Sequence, residues 1–322
     1  MSDLGPSPTV RSSDEQAPVR ALVVGEALID IVRSPDGAST EHVGGSPANV
    51  AMGLARLGRP TDLITCLGDD ERGAVVLEHL TRHGVEVTPA STSPDRATST
   101  ALAEVDDTGA ASYTFDLVWE VEPLELGPAT GHVHVGSLGA VLEPGASTVR
   151  AGLDHARERA TISYDPNVRP GIMGDLTSVR ARVEEVIGLC DIVKASSDDL
   201  ALLYPGEGVE SVLEHWATLG PALVLVTLGA DGVVVRVSSD GETGEGASGA
   251  REVVDTVGAG DSFMAGLLSG LLDAGLLGSP QARARLHAAS LDEVSPALAR
   301  ASACAALTVG RAGAYAPTLD EL

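Results

Sequence analysis

Asp261 closes the run Gly258-Ala259-Gly260-Asp261, which follows an extended stretch from Arg251 and leads into helical spacing at Phe263, Leu267 and Leu271. Glycines at the mouth of a helix let consecutive backbone N–H groups converge on one anion, and the positive helix end reinforces them. A carboxylate at that spot repels the charge the amides attract, unless its work is to take a proton from an attacking hydroxyl. The purely structural reading is an N-terminal helix cap. A second glycine-led helix start, Gly44-Gly45-Ser46-Pro47-Ala48-Asn49, allows close backbone approach to a ligand, and Asn49 offers donors and an acceptor suited to a polyol. Its plain reading is an ordinary helix N-terminus with Pro47 in the first turn. Asp30, just beyond the first strand, could hold two vicinal hydroxyls or stand as a lone surface carboxylate.

Other phosphate-binding loops fail on this sequence. A Walker A loop needs G-K-[ST], but the sole lysine, Lys194, lies in DIVKASS away from any glycine-rich loop and merely ends a strand. A dinucleotide fingerprint needs three glycines at the first βα turn, whereas this glycine pair is late and the third position is Phe263. His132 and His134 share one strand face without a third ligand at suitable spacing, which favours core histidines over a metal site.

The elements that must position these residues are legible in outline. Short apolar runs, Gly- or Asp-bearing loops and helical stretches alternate, as in βα units of a parallel sheet. Strands are expected at Ala21–Gly25, Asp62–Leu67, Val133–Val135, Ile162–Tyr164, Ile192–Lys194 and Leu223–Thr227, and helices at Pro47–Leu57 and Glu71–His83. Ligands of open parallel sheets bind beyond the carboxyl ends of strands. Those ends carry Gly25-Glu26 and Asp30, Asp165-Pro166-Asn167, Lys194 to Asp199, Thr227-Leu228-Gly229, and Asp255 to Asp261. Two segments, Leu28–Val43 and Thr98–Trp119, read instead as paired β segments, the second turning at Asp106-Asp107-Thr108-Gly109. They form either a satellite sheet or a lid over a ligand. Ser238–Gly249 reads as a surface loop.

Composition bounds the partners. Lys plus Arg is 21 against 46 Asp plus Glu in 322 residues, a net charge of -25 that argues against binding nucleic acid or an anionic membrane. The three cysteines, Cys66, Cys190 and Cys304, form neither a disulfide framework nor a zinc motif. The first twenty residues are polar and Ser/Pro-rich, expected to be a disordered tail without a signal segment, and the chain is expected to be cytoplasmic.

Together these segments resemble the ribokinase-like (PfkB) family of carbohydrate kinases. Asp255 to Asp261 match the family signature D-T-x-G-A-G-D, and Gly44 to Asn49 its G-G-x-x-A-N. GEALID (Gly25 to Asp30), SYDPNVRP (Ser163 to Pro170) and LVTLGADG (Leu225 to Gly232) look most like the fructokinase branch. The resemblance implies one α/β kinase domain over residues 21–322. It would be a Rossmann-like three-layer α/β/α core with a mainly parallel sheet and a small β lid at about 32–43 and 98–119.

It implies ATP-dependent phosphorylation of a sugar hydroxyl, with fructose as the expected acceptor, to give fructose 6-phosphate. Asp261 would be the base, with Gly258, Ala259 and Gly260 stabilising the transferred group. Asp30, Gly44, Gly45, Asn49 and Arg169 would hold the sugar or phosphate, and Ser196, Thr227, Gly229, Gly232 and Ser302 the nucleotide. Asp199 would hold Mg²⁺ through water, and Asp255 belongs to a loop that binds a monovalent cation such as K⁺. Attraction for ATP is then local, in amides, Mg²⁺ and Arg169, despite the net charge. Two departures stand out: Ser196-Ser197-Asp198-Asp199 replaces N-x-x-E, and Asp116 rather than arginine follows Phe115. The alternatives are a kinase of 2-keto-3-deoxygluconate, ribose or a nucleoside, or a non-catalytic sensor on the same scaffold. The lid could also pair two copies in a dimer.

Overall fold

The computed structural model describes residues 18–105, 111–250 and 252–322. Of the expected tail over residues 1–20, residues 1–17 lie outside the described residues, as do the turn Asp106 to Gly109 and Arg251. Arg20 is not tail but the first residue of the first strand, paired with Thr130. In chain order the strands are β1 Arg20–Val24, β2 Leu28–Arg33, β3 Ser39–Gly44, β4 Thr61–Ile64, β5 Leu67–Gly68, β6 Val85–Val87, β7 Thr92–Ser93 and β8 Thr100–Val105. They continue with β9 Ala111–Asp116, β10 Thr130–Gly136, β11 Thr161–Asp165, β12 Ile192–Ser196, β13 Leu223–Thr227, β14 Val233–Val237 and β15 Thr243–Gly246.

Nine strands form one sheet in the order β15-β14-β13-β12-β11-β10-β1-β4-β6. Seven of them, β13 through β6 in that order, run parallel, and β14 and β15 close one edge antiparallel. The parallel strands are apolar on both faces because helices cover both. Ala21 and Val23 of β1 pack with helices 46–56, 259–273 and 291–309, whereas Leu22 and Val24 pack on the other side with helices 145–156, 176–187 and 209–218. That alternation produces the three layers expected. From β1 the chain first builds outward through β4 and β6 and then returns to lay β10 on the opposite side of β1, so the strand order reverses between β1 and β10. Such a reversal opens a crevice at the strand carboxyl ends.

A separate four-stranded sheet, β3-β2-β8-β9, joins the two expected β segments through parallel pairing of β2 with β8. Three details differ from the sequence reading. Asp62–Leu67 splits into β4 and β5, because the chain leaves the large sheet at Thr65, whose hydroxyl accepts from Ala27 N. Ser238–Gly249 contains β15, whose backbone bonds to β14 rather than to water. Trp119 is 3% exposed in the main core and donates its indole N–H to Gly139 O at 3.0 Å, so the small sheet ends at Asp116. Among the described residues, no helix is long and apolar enough to cross a membrane.

Candidate active site

Two helix starts meet above the strand reversal. The chain enters helix 46–56 through Gly44 and Gly45. Gly45 has φ 108° and lies against Glu26 O, where any Cβ would collide, so only glycine makes this turn. A Cβ on Gly44 would overlap the carboxylate of Asp30, which packs directly over that glycine. Ser46 and Asn49 then fall three residues apart on one helix face. Helix 259–273 starts from Gly258 in the left-handed region (φ 75°), placing Asp261 in its first turn. Ser46 Oγ donates to Asp261 Oδ1 at 2.6 Å, and Asn49 Nδ2 donates to Asp261 Oδ2 at 2.8 Å. The capping reading of Asp261 therefore fails: its side chain caps no N–H of its own helix among the described residues.

Beneath this junction lies a buried ion pair that sequence reading missed. Lys194 is 3% exposed and its Nζ is 2.7 Å from Asp165 Oδ2. The same Nζ packs against Gly260, 2.9 Å from where a Cβ would sit. Burial opposes the ammonium, but Asp165, Asp199 and Asp261 hold Lys194 charged and raise it above its ordinary value. Burial also pushes Asp165 up, to about 6, against the pull of Lys194. Asp261 is raised by burial too, while Ser46, Asn49, Lys194 and Arg169 act to keep it ionised. The Arg169 charge reaches the carboxyls of Glu26 and Asp30 as well, so one guanidinium serves the whole crevice. Glu26, at the end of β1, is 8% exposed, is pushed by burial to about 7, and has an Oε2 without a partner among the described residues. The sequence signal for Lys194 was its scarcity, and for Glu26 its place at a strand end.

The remaining candidates line the strand ends toward β13. At the helix mouth, the Gly260 and Asp261 N–H groups belong to the first turn, whose donors have no intrahelical acceptor. Ala259 N donates to Thr256 O. Gly258 fits closely against Ala314, and Asp255 joins the same two loops by accepting from Val257 N at 3.0 Å and Gly313 N at 2.8 Å. Ser196 and Thr227 are register partners at the ends of β12 and β13. Gly229 and Gly232 both have positive φ in the turn that follows, and Gly232 packs on Gly246 O. Ser302 lies on helix 291–309, its backbone facing Gly249. Asp199 is 4% exposed, and both its oxygens are engaged: Oδ1 accepts from Val168 N, and Oδ2 from Ser196 N and Oγ in a capping box. Sequence reading had not anticipated that structural duty. His132 and His134 are buried and bonded to Thr161 and Ser163 hydroxyls, and burial lowers them to about 4 and about 3, as neutral core side chains.

Comparisons with known proteins bear on the family and the fold. The family described as pfkB family carbohydrate kinase matches residues 20–321. A fructokinase of Klebsiella pneumoniae is 32% identical over 310 residues, covering 93% of this chain and 97% of that protein. The structure of a Vibrio cholerae O395 fructokinase double mutant with fructose, ADP and potassium superposes with a TM-score of 0.76 at 27% identity, covering 94% of this chain and 96% of that one. Aminoimidazole riboside kinase from Salmonella enterica, solved with aminoimidazole riboside and an ATP analogue, superposes with a TM-score of 0.75 at 25% identity, covering 94% and 98%.

Proposed function

The chain belongs to the pfkB family of carbohydrate kinases, and from that premise we propose that it transfers the γ-phosphoryl group of ATP to the 6-hydroxyl of fructose. Asp261 takes the hydroxyl proton, the freed oxygen attacks phosphorus, and the bond to the ADP oxygen breaks. Phosphoryl transfer asks little covalent chemistry of a protein, so positioning and charge stabilisation carry it. The observation that carries the reading is the Asp261 carboxylate, clamped by Ser46 and Asn49 beside helix-mouth amides that have no intrahelical acceptor.

Gly260 and Asp261 offer those amides to the transferred group, and Gly258 and Ala259 form the turn that presents them. Asp30, packed over Gly44, is placed to accept from sugar hydroxyls. Asn49 gives one N–H to Asp261 and keeps its amide oxygen and second N–H for the sugar. Arg169 stands within charge range of the sugar and base carboxyls and suits the phosphoryl group. Ser196, Thr227, Gly229, Gly232 and Ser302 form the nucleotide side, and the Asp255 loop is the monovalent-cation candidate.

No cluster of three or more metal-ligating side chains exists among the described residues. With both Asp199 oxygens engaged by protein donors, a magnesium ion would be held by nucleotide phosphates and water, with Asp199 contributing at most through water, as such ions commonly are. Bound there, it would neutralise phosphate charge. The small sheet of β2, β3, β8 and β9 serves as a lid over the sugar.

Asp261→Asn tests the mechanism: turnover is expected to fall roughly 10²- to 10⁴-fold, and near-normal turnover removes Asp261 as base. A panel of fructose, ribose, 2-keto-3-deoxygluconate and nucleosides, read by ADP release, tests the substrate. Fructose should lead. Ligand-induced stabilisation without ADP release from any of them would identify a sensor instead.

A further inference from the structure

We propose that Lys194 is a positioning residue for phosphoryl transfer, its buried ammonium held by Asp165 against Gly260 so that the neighbouring Asp261 stays ready to accept a proton. The inference rests on Asp261 being the base. The Lys194 ammonium makes a 2.7 Å ion pair with Asp165 and packs on the flank of Gly260. Any side chain on Gly260 would displace the ammonium, which explains a glycine at a helical position where alanine is the better helix former.

The groups around Asp261 come from three other elements. Helix 46–56 supplies the neutral donors Ser46 and Asn49, the segment after β11 supplies Arg169, and β12 supplies Lys194. Asp165 of β11 and Asp199 add negative charge beside the lysine, and His134 on β10 is kept neutral in part by the same ammonium. Lys194 is thus the buried cation amid three carboxylates, and it is chemically distinct from Arg169, which is exposed.

The test compares pH profiles of kcat/KM for the wild type, Lys194→Met and Asp165→Asn, with thermal unfolding of each. Loss of the ammonium makes Asp261 harder to ionise, so in Lys194→Met the acid limb should move up by on the order of one pH unit. Asp165→Asn leaves the ammonium without its counter-charge, so the limb should move down. A purely structural pair would lower activity evenly across pH and leave the limb in place. Limbs unmoved in both variants, or moved in the same direction, overturn the proposal. If Lys194→Met does not fold, Asp165→Asn decides alone: a limb moved down supports it, and one unmoved or moved up overturns it. Asp261→Asn run in parallel separates the two readings, because near-normal turnover there removes the base whatever the limbs do.

Discussion

Asn49 and Asp261 are 212 positions apart in sequence, yet Asn49 Nδ2 donates to Asp261 Oδ2 at 2.8 Å, so the two glycine-led helix starts, 44–49 and 258–261, share one hydrogen bond. In the proposed mechanism, that bond couples sugar placement to base ionisation through one side chain. Ser46 makes the parallel bond to Oδ1 but sits deeper, 9% exposed.

These two donors should separate kinetically. A hydrogen bond to a charged group contributes about 1.5–3 kcal/mol, so Ser46→Ala should shift the acid limb of kcat/KM upward by about one to two pH units. The KM for the sugar should stay near the wild-type value. Asn49→Ala should shift the limb and also raise KM, because the free end of its amide is lost to the sugar. Equal KM values in the two variants would place Asn49 off the sugar.

Gly258→Ala should destabilise the protein. The position has φ 75°, and the new methyl would meet Ala314 at 2.7 Å from its Cβ and 2.8 Å from its Cα. The left-handed conformation alone costs a residue with Cβ about 1–2 kcal/mol, and the clash adds to it. Urea unfolding should show a loss of about 2 kcal/mol or more, with turnover falling as the helix mouth moves. An unchanged midpoint would mean that the 258 and 314 segments part freely.

Glu26 makes stability depend on pH. Its carboxyl is raised in the folded chain from 4.5 to about 7, chiefly by burial. Such a group contributes stability fully below the unfolded value, and that contribution is lost as pH rises through the folded value. Wild type should therefore weaken between about pH 5 and pH 8. Glu26→Gln, which cannot ionise, should escape a loss on the order of 2–3 kcal/mol over that range. Parallel stability curves for the two proteins would contradict this.

The small sheet should respond to ligand. Backbone amides of β2, β3, β8 and β9 should exchange faster without sugar than with fructose and a non-hydrolysable ATP analogue. Stacked Tyr113 and Phe115, 6.2 Å between ring centroids, mark the strand to follow, and Phe115 lies near Gly171 of the segment after Arg169. Equal exchange in both states would identify a fixed satellite sheet.

Much of the candidate site was legible because its helix starts are local features. Gly258 to Asp261 and Gly44 to Asn49 each encode a helix mouth within a few residues, and glycine there is dictated by backbone geometry that the chain expresses without its neighbours. The βα alternation was legible for the same reason, since a strand buried on both faces and an amphipathic helix each carry their own period. Trp119 was misread because an aromatic residue in a β-like run shows its size but not which core receives it. β15 was misread because a Gly-rich strand has no apolar pattern and exists only through its bonds to β14.

The sequence by itself determined two glycine-led helix starts with the family's signature and the parallel α/β class. Only the tertiary structure decided that these starts meet on one carboxylate, that Lys194 is a buried charge rather than the end of a strand, and that Asp199 is already engaged by protein donors. The physical reason is that strand order, unlike strand existence, is set by packing between distant segments. The reversal between β1 and β10 gathers β11, β12 and both helix mouths around one crevice, and burial there gives Lys194, Asp165 and Asp261 an influence on one another that no spacing along the chain reveals.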